Sequence, residues 1–305
     1  MPLSTEETIV ELSNSDKPLL HSRLTELSNL SSEELEFFKH SWAAIKPERR
    51  RQIIHRLVEL AEENLELNFD CIFKYCLKDQ DDMVQSKAIE GLWESEEPSL
   101  IHPLINLLEQ DSSEKVQAAA ATALGKFTIL AEHKKLRPCH IPTIQEALLT
   151  VSSDKNKPVV IRRRALEAAA PLSVPQVKKA IMEAYQSHNS KLRVSSIYAM
   201  GKNCDPSWMP ILLKELTSAD TEVRYEAAGA CGELEEEEAI PCLVKLGNDP
   251  DADVQMAAIQ ALGKIGGTKA KECLEHYLNN TSETIRQTAE QVLSELEAKE
   301  DIISF

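Results

Sequence analysis

The side chains that could perform catalysis or bind a metal do not form a recognisable reaction centre in this sequence. The eight histidines share no common position in a repeating pattern, so a metal site built symmetrically from repeats is not expected. They are His21, His40, His55, His102, His133, His140, His188 and His276. Cys71 and Cys76 lack the two-residue spacing of a redox or zinc pair, and the chain has neither a glycine-rich phosphate loop nor a Gly-x-Ser-x-Gly motif. We therefore predict a non-catalytic protein with no metal and no cofactor.

The segment DPDADVQ, which starts at Asp249, has the Asp-x-Asp-x-Asp opening of a calcium-binding loop. Such a loop needs a glycine at its sixth position for the turn and a glutamate at its twelfth for bidentate coordination. This chain has Val254 and Gln260 at those positions. The segment is therefore interpreted as a capped turn before a helix.

Two arginine triplets, at 49–51 and 162–164, stand out because the chain is acidic overall. Arginine binds phosphate and carboxylate groups through paired hydrogen bonds, so each triplet could form a site for a phosphate or an acidic peptide. The structural alternative is that Arg162 contacts the neighbouring repeat and that the other arginines are solvated.

Composition and charge limit the compartment and the class of partner. With 34 basic and 50 acidic residues the formal charge is −16, which disfavours binding to phosphate backbones and anionic membranes. Residues 1–14 lack the regions of a signal peptide, and no window reaches eighteen apolar residues. Seven cysteines without paired spacing predict buried thiols in a reducing compartment. We expect a cytoplasmic protein that binds neither nucleic acid nor a membrane; its oligomeric state is left open.

The elements that position these side chains follow a repeat. One apolar residue, the anchor, recurs at intervals of 32, 45, 31, 31, 31 and 31 residues. The anchors are Val84, Val116, Ile161, Leu192, Val223, Val254 and Ile285, and Ile53 precedes them in phase. Counted from the anchor as offset 0, offset 9 is Gly125, Gly201, Gly232 and Gly263 in four repeats. At about 100° per residue, offsets 0, 4, 7, 8 and 11 form one apolar helix face, and glycine at offset 9 removes a side chain where backbones crowd.

Each repeat has a helix-start signal three residues before its anchor. Six of the seven residues there are N-cap formers: Asp81, Ser113, Asn189, Asp220, Asp251 and Ser282, with Pro158 as the exception. Shorter amphipathic segments, such as 207–216 and 238–247, supply a second helix. One repeat is thus a helix A, a turn and a helix B, and such pairs must stack to bury their apolar faces. We predict an all-α fold, an α-solenoid (α-α superhelix) of about eight helix pairs.

This pattern resembles HEAT repeats, in particular the short bacterial HEAT-like repeats also found in phycobilin lyase subunits, over about Asp79 to Leu296. The resemblance implies that the B helices line the concave side of a superhelix. It also implies a ladder between repeats, formed by a turn Asp and an Arg at offset 1. That ladder is expected to be incomplete, because Gln85, Gln117 and Gln255 replace the Arg in three repeats. An iron-dependent hydroxylase of this fold uses His-Glu dipeptides, but no histidine here is followed by Glu.

The domain organisation follows from the extent of the repeat. Residues 1–31 are predicted to form a helical or flexible cap, 32–297 the HEAT-like solenoid, and 298–305 a C-terminal tail. In the first helix pair Ser32 is expected to cap a helix and Pro47 to occupy a first turn. The 45-residue interval predicts an insertion near 128–157, where Pro138 and Pro142 break the pattern and lengthen the loop.

The candidate binding surface is the B-helix face opposite the apolar one. Offsets 2, 6 and 9 are expected to point outward, and to be polar unless a partner covers them. Apolar and aromatic residues break this rule in three adjacent repeats, with an arginine beside them and Trp93 further along. The predicted partner-binding residues are Arg163, Val194, Tyr198, Tyr225, Met256 and Trp93.

The functional hypothesis is a non-catalytic scaffold that holds a protein or peptide in the concave groove, since Tyr, Met and Arg are typical of binding surfaces. Three alternatives are left open. The same side chains could only pad the seams between B helices. The chain could be a chromophore lyase-like or chaperone subunit, or an accessory subunit of a larger complex with 301–305 as its docking tail.

Overall fold

Helices account for all regular secondary structure in the described residues of the computed structural model, which are 5–15, 17–280 and 282–303. The α-helices are α1 (Thr5–Ser13), α2 (His21–Thr25), α3 (Ser32–Ala44), α4 (Pro47–Glu63), α5 (Asp70–Cys76), α6 (Asp82–Gly91), α7 (Ile101–Gln110), α8 (Glu114–Glu132), α9 (Ile141–Ser153), α10 (Val159–Ala169), α11 (Pro175–Tyr185), α12 (Ser190–Asn203), α13 (Met209–Glu215), α14 (Thr221–Leu234), α15 (Ile240–Leu246), α16 (Ala252–Ile265), α17 (Gly267–Tyr277) and α18 (Glu283–Ile303). The predicted all-α class is confirmed.

The chain consists of two units, unit 1 (Met1–Ala168) and unit 2 (Ala169–Phe305), and the same helix pair repeats within each. From α3 onward the odd-numbered helices are A helices and the even-numbered helices are B helices. In unit 1, α4 packs on α6 and α6 on α8. In unit 2, α12 packs on α14, α14 on α16 and α16 on α18. The described chain thus contains eight helix pairs, as the anchor spacing predicts.

Among the described residues, side-chain caps start four of the eight B helices. The predicted caps Asp81, Asn189, Asp220 and Asp251 accept hydrogen bonds from first-turn N–H groups at 3.0–3.2 Å. Ser113 occupies the cap position of α8, but its hydroxyl donates instead to Asp82 Oδ2 at 3.1 Å. These bonds satisfy N–H groups that a helix start leaves without backbone partners, so the turn residues set where each B helix begins.

The first helix pair begins one residue earlier than predicted. The cap of α3 is Ser31, which forms a capping box with Glu34, and Ser32 is the first helical residue. Pro47 lies in the first turn of α4, as predicted. Proline is favoured there because its missing N–H would have no helical partner.

The glycines at offset 9 lie where neighbouring B helices approach each other closely. A Cβ atom on Gly201 would lie 2.7 Å from the Cα of Ala230, and one on Gly232 would lie 2.8 Å from the Cα of Ala261. Because carbon atoms pack at about 3.5–4.0 Å, a larger residue would push the helices apart. The interpretation of this glycine as a close-approach position is confirmed.

The residue at offset 1 ties several of the B helices to the chain just before them. Arg224 donates from Nη1 to the carbonyl oxygen of Ser218 at 2.9 Å and forms a bidentate pair with Asp249, at 2.8 and 2.9 Å. Gln117 and Gln255 donate to the carbonyl oxygen of the residue six positions earlier, as Arg224 does. Where Gln replaces Arg, as at Gln117 and Gln255, the side chain keeps the hydrogen bond to the backbone and loses only the ion pair with a turn aspartate. The incomplete ladder predicted from the sequence therefore lacks ion pairs and not backbone bonds.

The 45-residue interval is occupied mainly by longer helices. α8 has 19 residues and α9 has 13, and the connection 133–140 between them contains a 3-10 turn at Pro138–His140. Pro142 lies in the first turn of α9 and does not interrupt it. The expected longer loop is thus replaced by helix, because a first-turn proline is compatible with helix geometry.

The C-terminal helix is longer than the sequence pattern indicates. The backbone of α18 is helical to Ile303, so residues 298–303 of the predicted tail continue the last B helix. Ser304 and Phe305 lie outside the described residues.

Candidate functional site

The exposed face of the B helices is narrower than the helix period alone implies. Tyr198 and Tyr225 are 39% and 44% exposed, and Met256 is half-buried. Val194 is 2% exposed, so its prediction as a surface residue is wrong. The reason is packing: α12 lies against both α11 and α14, and this packing covers Val194, whereas Tyr225 at the same offset of α14 stays exposed. Offset 9 was also predicted to point outward, yet Gly201, Gly232 and Gly263 are buried in the seams.

A shallow groove of about 190 Å³ lies in unit 2 between α12, α14 and α16. We name it the tyrosine groove, and its lining includes Tyr198, Lys202, Tyr225, Gly229, Glu233 and Lys264. Outside its own helical turn, no atom of the described residues lies within 4 Å of the position that a Cβ atom on Gly229 would take. The groove therefore owes part of its depth to the missing side chain at Gly229.

A charged ladder runs along the tyrosine groove and joins its three helices. Glu233 Oε1 accepts hydrogen bonds from Lys202 Nζ at 2.9 Å and from Lys264 Nζ at 2.7 Å. Burial alone would raise the pKa of Glu233, but the two lysine hydrogen bonds outweigh it and hold that pKa below its ordinary value. Lys202 Nζ also lies 5.7 Å from the ring centroid of Tyr198, within reach of a cation–π contact. The groove is thus bordered by charges whose positions are fixed.

The sequence contains a signal for this ladder that the repeat analysis did not use. Lys202, Glu233 and Lys264 all occupy offset 10, in three successive repeats. Residues at the same offset of stacked repeats lie side by side, so alternating charge at one offset indicates an ion-pair ladder.

The arginines of the first triplet are engaged within the protein. Arg49 is 4% exposed and donates from Nε to the carbonyl oxygen of Leu12 at 2.8 Å. Arg50 and Arg51 form ion pairs with Asp79 and Asp81, at 2.9 and 2.7 Å. These contacts favour the structural interpretation of the triplet over a phosphate site.

The second triplet is also engaged in local contacts. Arg162 donates from Nε to the carbonyl oxygen of Ser152 at 3.1 Å, and Arg164 pairs with Glu167 at 2.7 Å. Arg163, half-buried in α10, lies 3.9 Å from the same carboxylate. Trp93 is 52% exposed and lines a separate pocket of unit 1. Arg163 and Trp93 thus belong to unit 1, and their contact with a partner stays a prediction.

Two features of the titratable side chains in the described residues bear on chemistry: whether they could share a metal ion, and whether a thiol is reactive. Among the described residues, no three His, Cys, Asp or Glu side chains are grouped so that they could hold a metal ion. Burial raises the pKa of the Cys231 thiol to about 12, which keeps it protonated and unreactive. Cys139 and Cys204 are exposed, so the expectation of buried thiols is wrong for these two. Asp249 pairs with Arg224 and Asp251 caps α16, as the interpretation of a capped turn predicts.

Two regions of the chain match the family model for HEAT repeats, residues 72–138 and 209–294, which together make up just over half of its length. The chain belongs to the HEAT-repeat family. No curated protein sequence matches the chain. None of the helices in the described part is long and apolar enough to cross a membrane.

Similar solved structures are helical repeat proteins. The complex of CpcE and CpcF of phycocyanin lyase from Nostoc sp. PCC7120 is 16% identical, covers 92% of this chain and 97% of its own, and has a TM-score of 0.54. The Escherichia coli protein YibA is 17% identical over 77% of this chain and 96% of its own, with a TM-score of 0.47. A computationally designed armadillo repeat protein for modular peptide recognition is 16% identical over 63% of this chain and 97% of its own, at 0.37. At these identities the likeness shows the fold alone.

Proposed function

We propose that this chain is a non-catalytic scaffold that binds a protein or peptide on the B-helix face of unit 2, in the tyrosine groove. The observation that carries the proposal is the pair of exposed tyrosines, Tyr198 and Tyr225, on two adjacent helices beside the opening at Gly229. Met256 follows Tyr225 at the same offset of the next repeat, where it is half-buried and is not among the residues that line the groove.

The chemistry of the groove suits an extended polypeptide. Tyrosine offers a large apolar ring and a hydroxyl group at little cost in side-chain entropy, and it is frequent among residues that dominate binding energy. The space above Gly229 accepts an apolar side chain of the partner between the two rings. Lys202 and Lys264 lie at the edge, where a partner's carboxylate or carbonyl oxygen would meet their ammonium groups.

The test is affinity purification from the native host with quantitative mass spectrometry, using the wild-type chain, Tyr198→Ala and Tyr225→Ala as baits. If the tyrosines are binding residues, Tyr225→Ala loses at least about 1 kcal/mol of binding, roughly a fivefold drop in capture of the specific partner. The free energy of unfolding should then change by less than about 0.5 kcal/mol, since the side chain is surface-exposed.

Leu278→Ala is the matched control, because Leu278 is 39% exposed in unit 2 but lies at the end of an A helix. This variant should capture the same partner as the wild type. The tyrosines would instead be seam padding if Tyr225→Ala unfolded earlier while capture stayed intact, and the site would then be withdrawn.

The alternative of a chromophore lyase-like subunit is supported by the shared fold. Mixing the purified chain with a free bilin separates the two functions. A shift of the bilin absorbance that Tyr225→Ala does not change would support the lyase-like role over a peptide scaffold.

A further inference from the structure

A pocket of about 450 Å³ in unit 1 lies where the pattern of the B helices is interrupted. α6 ends at Gly91, seven residues after its anchor, whereas α8, α14 and α16 extend at least to offset 11. Those three helices place Phe127, Leu234 and Ile265 at offset 11, but the corresponding residue after α6 is Ser95, and two other repeats also have a polar residue there, Asn64 and Asn203. The core of this repeat therefore lacks one large apolar side chain.

The pocket reaches the residue at this offset. Ser95 lies in its lining together with the apolar side chains of Leu100, Leu104 and Phe127. Ala123 lines it from α8 and is small and half-buried. Its volume falls in the range of about 300–1,000 Å³ that is usual for ligand pockets.

Trp93 marks the mouth of the pocket. It stands at offset 9, where four other repeats have a glycine that lets the B helices close on each other. Trp93 is 52% exposed, and its carbonyl oxygen accepts a hydrogen bond from Lys126 Nζ at 2.8 Å. That bond fastens the turn after α6 to α8.

The rim of the pocket is acidic. Glu62 and Glu90 lie in the lining and are both exposed, and Glu90 forms an ion pair with Lys87. Burial lowers the pKa of Lys126, and the carboxylates of Glu96, Glu94 and Asp70 oppose that shift, so their field reaches the pocket. Lys126 itself lines the pocket and keeps its positive charge while it donates to the carbonyl oxygen of Trp93, so the acidic excess at the rim comes from Glu62 together with Glu94 and Glu96. A cationic ligand therefore meets a complementary rim, and the charge of −16 on the whole chain favours its approach.

We propose that this pocket binds a peptide segment in which one large apolar side chain, leucine or phenylalanine, has a basic residue on each side. The apolar side chain takes the place of the missing offset-11 residue, against Leu104 and Phe127. One basic residue faces Glu62, and the other lies over the exposed ring of Trp93, where an arginine gains a cation–π contact. This site lies within unit 1 and does not depend on the tyrosine groove of unit 2.

The test uses a matrix of fluorescein-labelled nine-residue peptides and the full chain, with binding measured by anisotropy at low salt. The central residue is Leu, Phe or Ala, and the flanking residues are Arg, Gln or Glu. We expect Leu and Phe peptides with Arg flanks to bind at least tenfold more tightly than those with a central Ala or with Glu flanks. Unlabelled peptide should also protect Trp93 from acrylamide quenching, because Trp42 and Trp208 are buried and contribute little to that signal.

Two variants plug the pocket from different walls, Ser95→Leu from the turn after α6 and Ala123→Leu from α8. Each should weaken the best peptide at least tenfold while the helical spectrum stays unchanged, whereas Tyr225→Ala in unit 2 should bind it like the wild type. If one plugged variant fails to fold, the other decides.

Three results would overturn the proposal: equal binding to a folded plugged variant, no preference for Arg over Glu flanks, or no binding by any peptide in the matrix. Loss of partner capture by Tyr225→Ala with intact peptide binding here would concern the tyrosine groove alone.

Discussion

Unit 1 and unit 2 are built from the same helix pair but differ in how regularly they stack it. In unit 2 the anchors Leu192, Val223, Val254 and Ile285 are all 31 residues apart, and glycines at offset 9 bring the helices together. In unit 1 the anchor intervals vary, and Gly125 would place a Cβ atom 3.3 Å from the Cα of Ala168, against 2.7–2.8 Å for Gly201 and Gly232. Where the anchors are evenly spaced and glycine lies between neighbouring B helices, the helices pack closely and leave only a shallow groove. Where the spacing is interrupted, the packing leaves a pocket.

The difference also separates the two proposed binding modes. The tyrosine groove of unit 2 lies across three intact helices and exposes side chains at offsets 2 and 6. The pocket of unit 1 exists because α6 stops early and Ser95 replaces a large apolar residue. Regular repeats thus support an extended contact surface, and a broken repeat supports an anchor pocket.

The largest expected effect comes from Arg224, which links α14 to Asp249. Arg224→Ala should lower the free energy of unfolding by about 3 kcal/mol, because it leaves the buried carboxylate of Asp249 without its ion-pair partner. Arg224→Gln removes the ion pair but leaves a side chain that can donate to the carbonyl oxygen of Ser218, as Gln117 donates to a backbone carbonyl in unit 1. This variant should therefore lose less free energy of unfolding than Arg224→Ala. Chemical denaturation measures both losses; equal losses for Ala and Gln would contradict the backbone role.

The loss of folding stability at acid pH tests the ion pair between Arg224 and Asp249. The Arg224 hydrogen bonds hold the pKa of Asp249 below its ordinary value of about 3.9, so the pair contributes fully above that pH. The contribution is lost as the pH falls through the lower folded-state pKa. Wild type should therefore lose more stability than Arg224→Gln between about pH 5 and pH 2, and parallel curves for the two proteins would refute this assignment.

The seam glycines should show the next largest effect. Gly232→Ala should destabilise by about 1–3 kcal/mol, because its Cβ atom would meet the Cα of Ala261 at 2.8 Å. Gly125→Ala in unit 1 should lose less than about 1 kcal/mol, since its neighbour lies at 3.3 Å and alanine favours the helix. Hydrogen exchange with mass spectrometry should place the Gly232→Ala effect in α14 and α16. Equal destabilisation at both positions would mean that the seams of the two units are alike.

The smallest expected effect is a gain at Gly229. Gly229→Ala should stabilise α14 by about 0.5–1 kcal/mol, because alanine has the higher helix propensity and its methyl group enters open space in the tyrosine groove. The same variant should reduce capture of the unit 2 partner if a side chain of that partner lies over Gly229. A loss of stability on thermal melting would show that the groove is already closed there.

Much of the architecture could be predicted from the sequence because the same anchor and cap positions recur in several repeats. Asp81, Asn189, Asp220 and Asp251 indicated where helices begin, and their side chains do accept the expected N–H groups. The 31-residue period predicted the number of helix pairs. The sequence placed the start of α3 one residue too late and underestimated the lengths of α8 and α18. Helix boundaries are hard to predict because they depend on local hydrogen bonds that neighbouring residues can shift.

The sequence by itself thus determined the helix pairs, their caps and the glycine positions, since these follow from local backbone geometry and from periodicity. Only the tertiary structure decided which side chains reach the surface. Val194 and Tyr198 both lie at offsets that a single helix would turn outward, but the packing of neighbouring helices buries one and exposes the other. The early end of α6 likewise leaves a pocket only because of how α8 packs beside it. A cavity remains only where the side chains of the neighbouring helix do not fill the space.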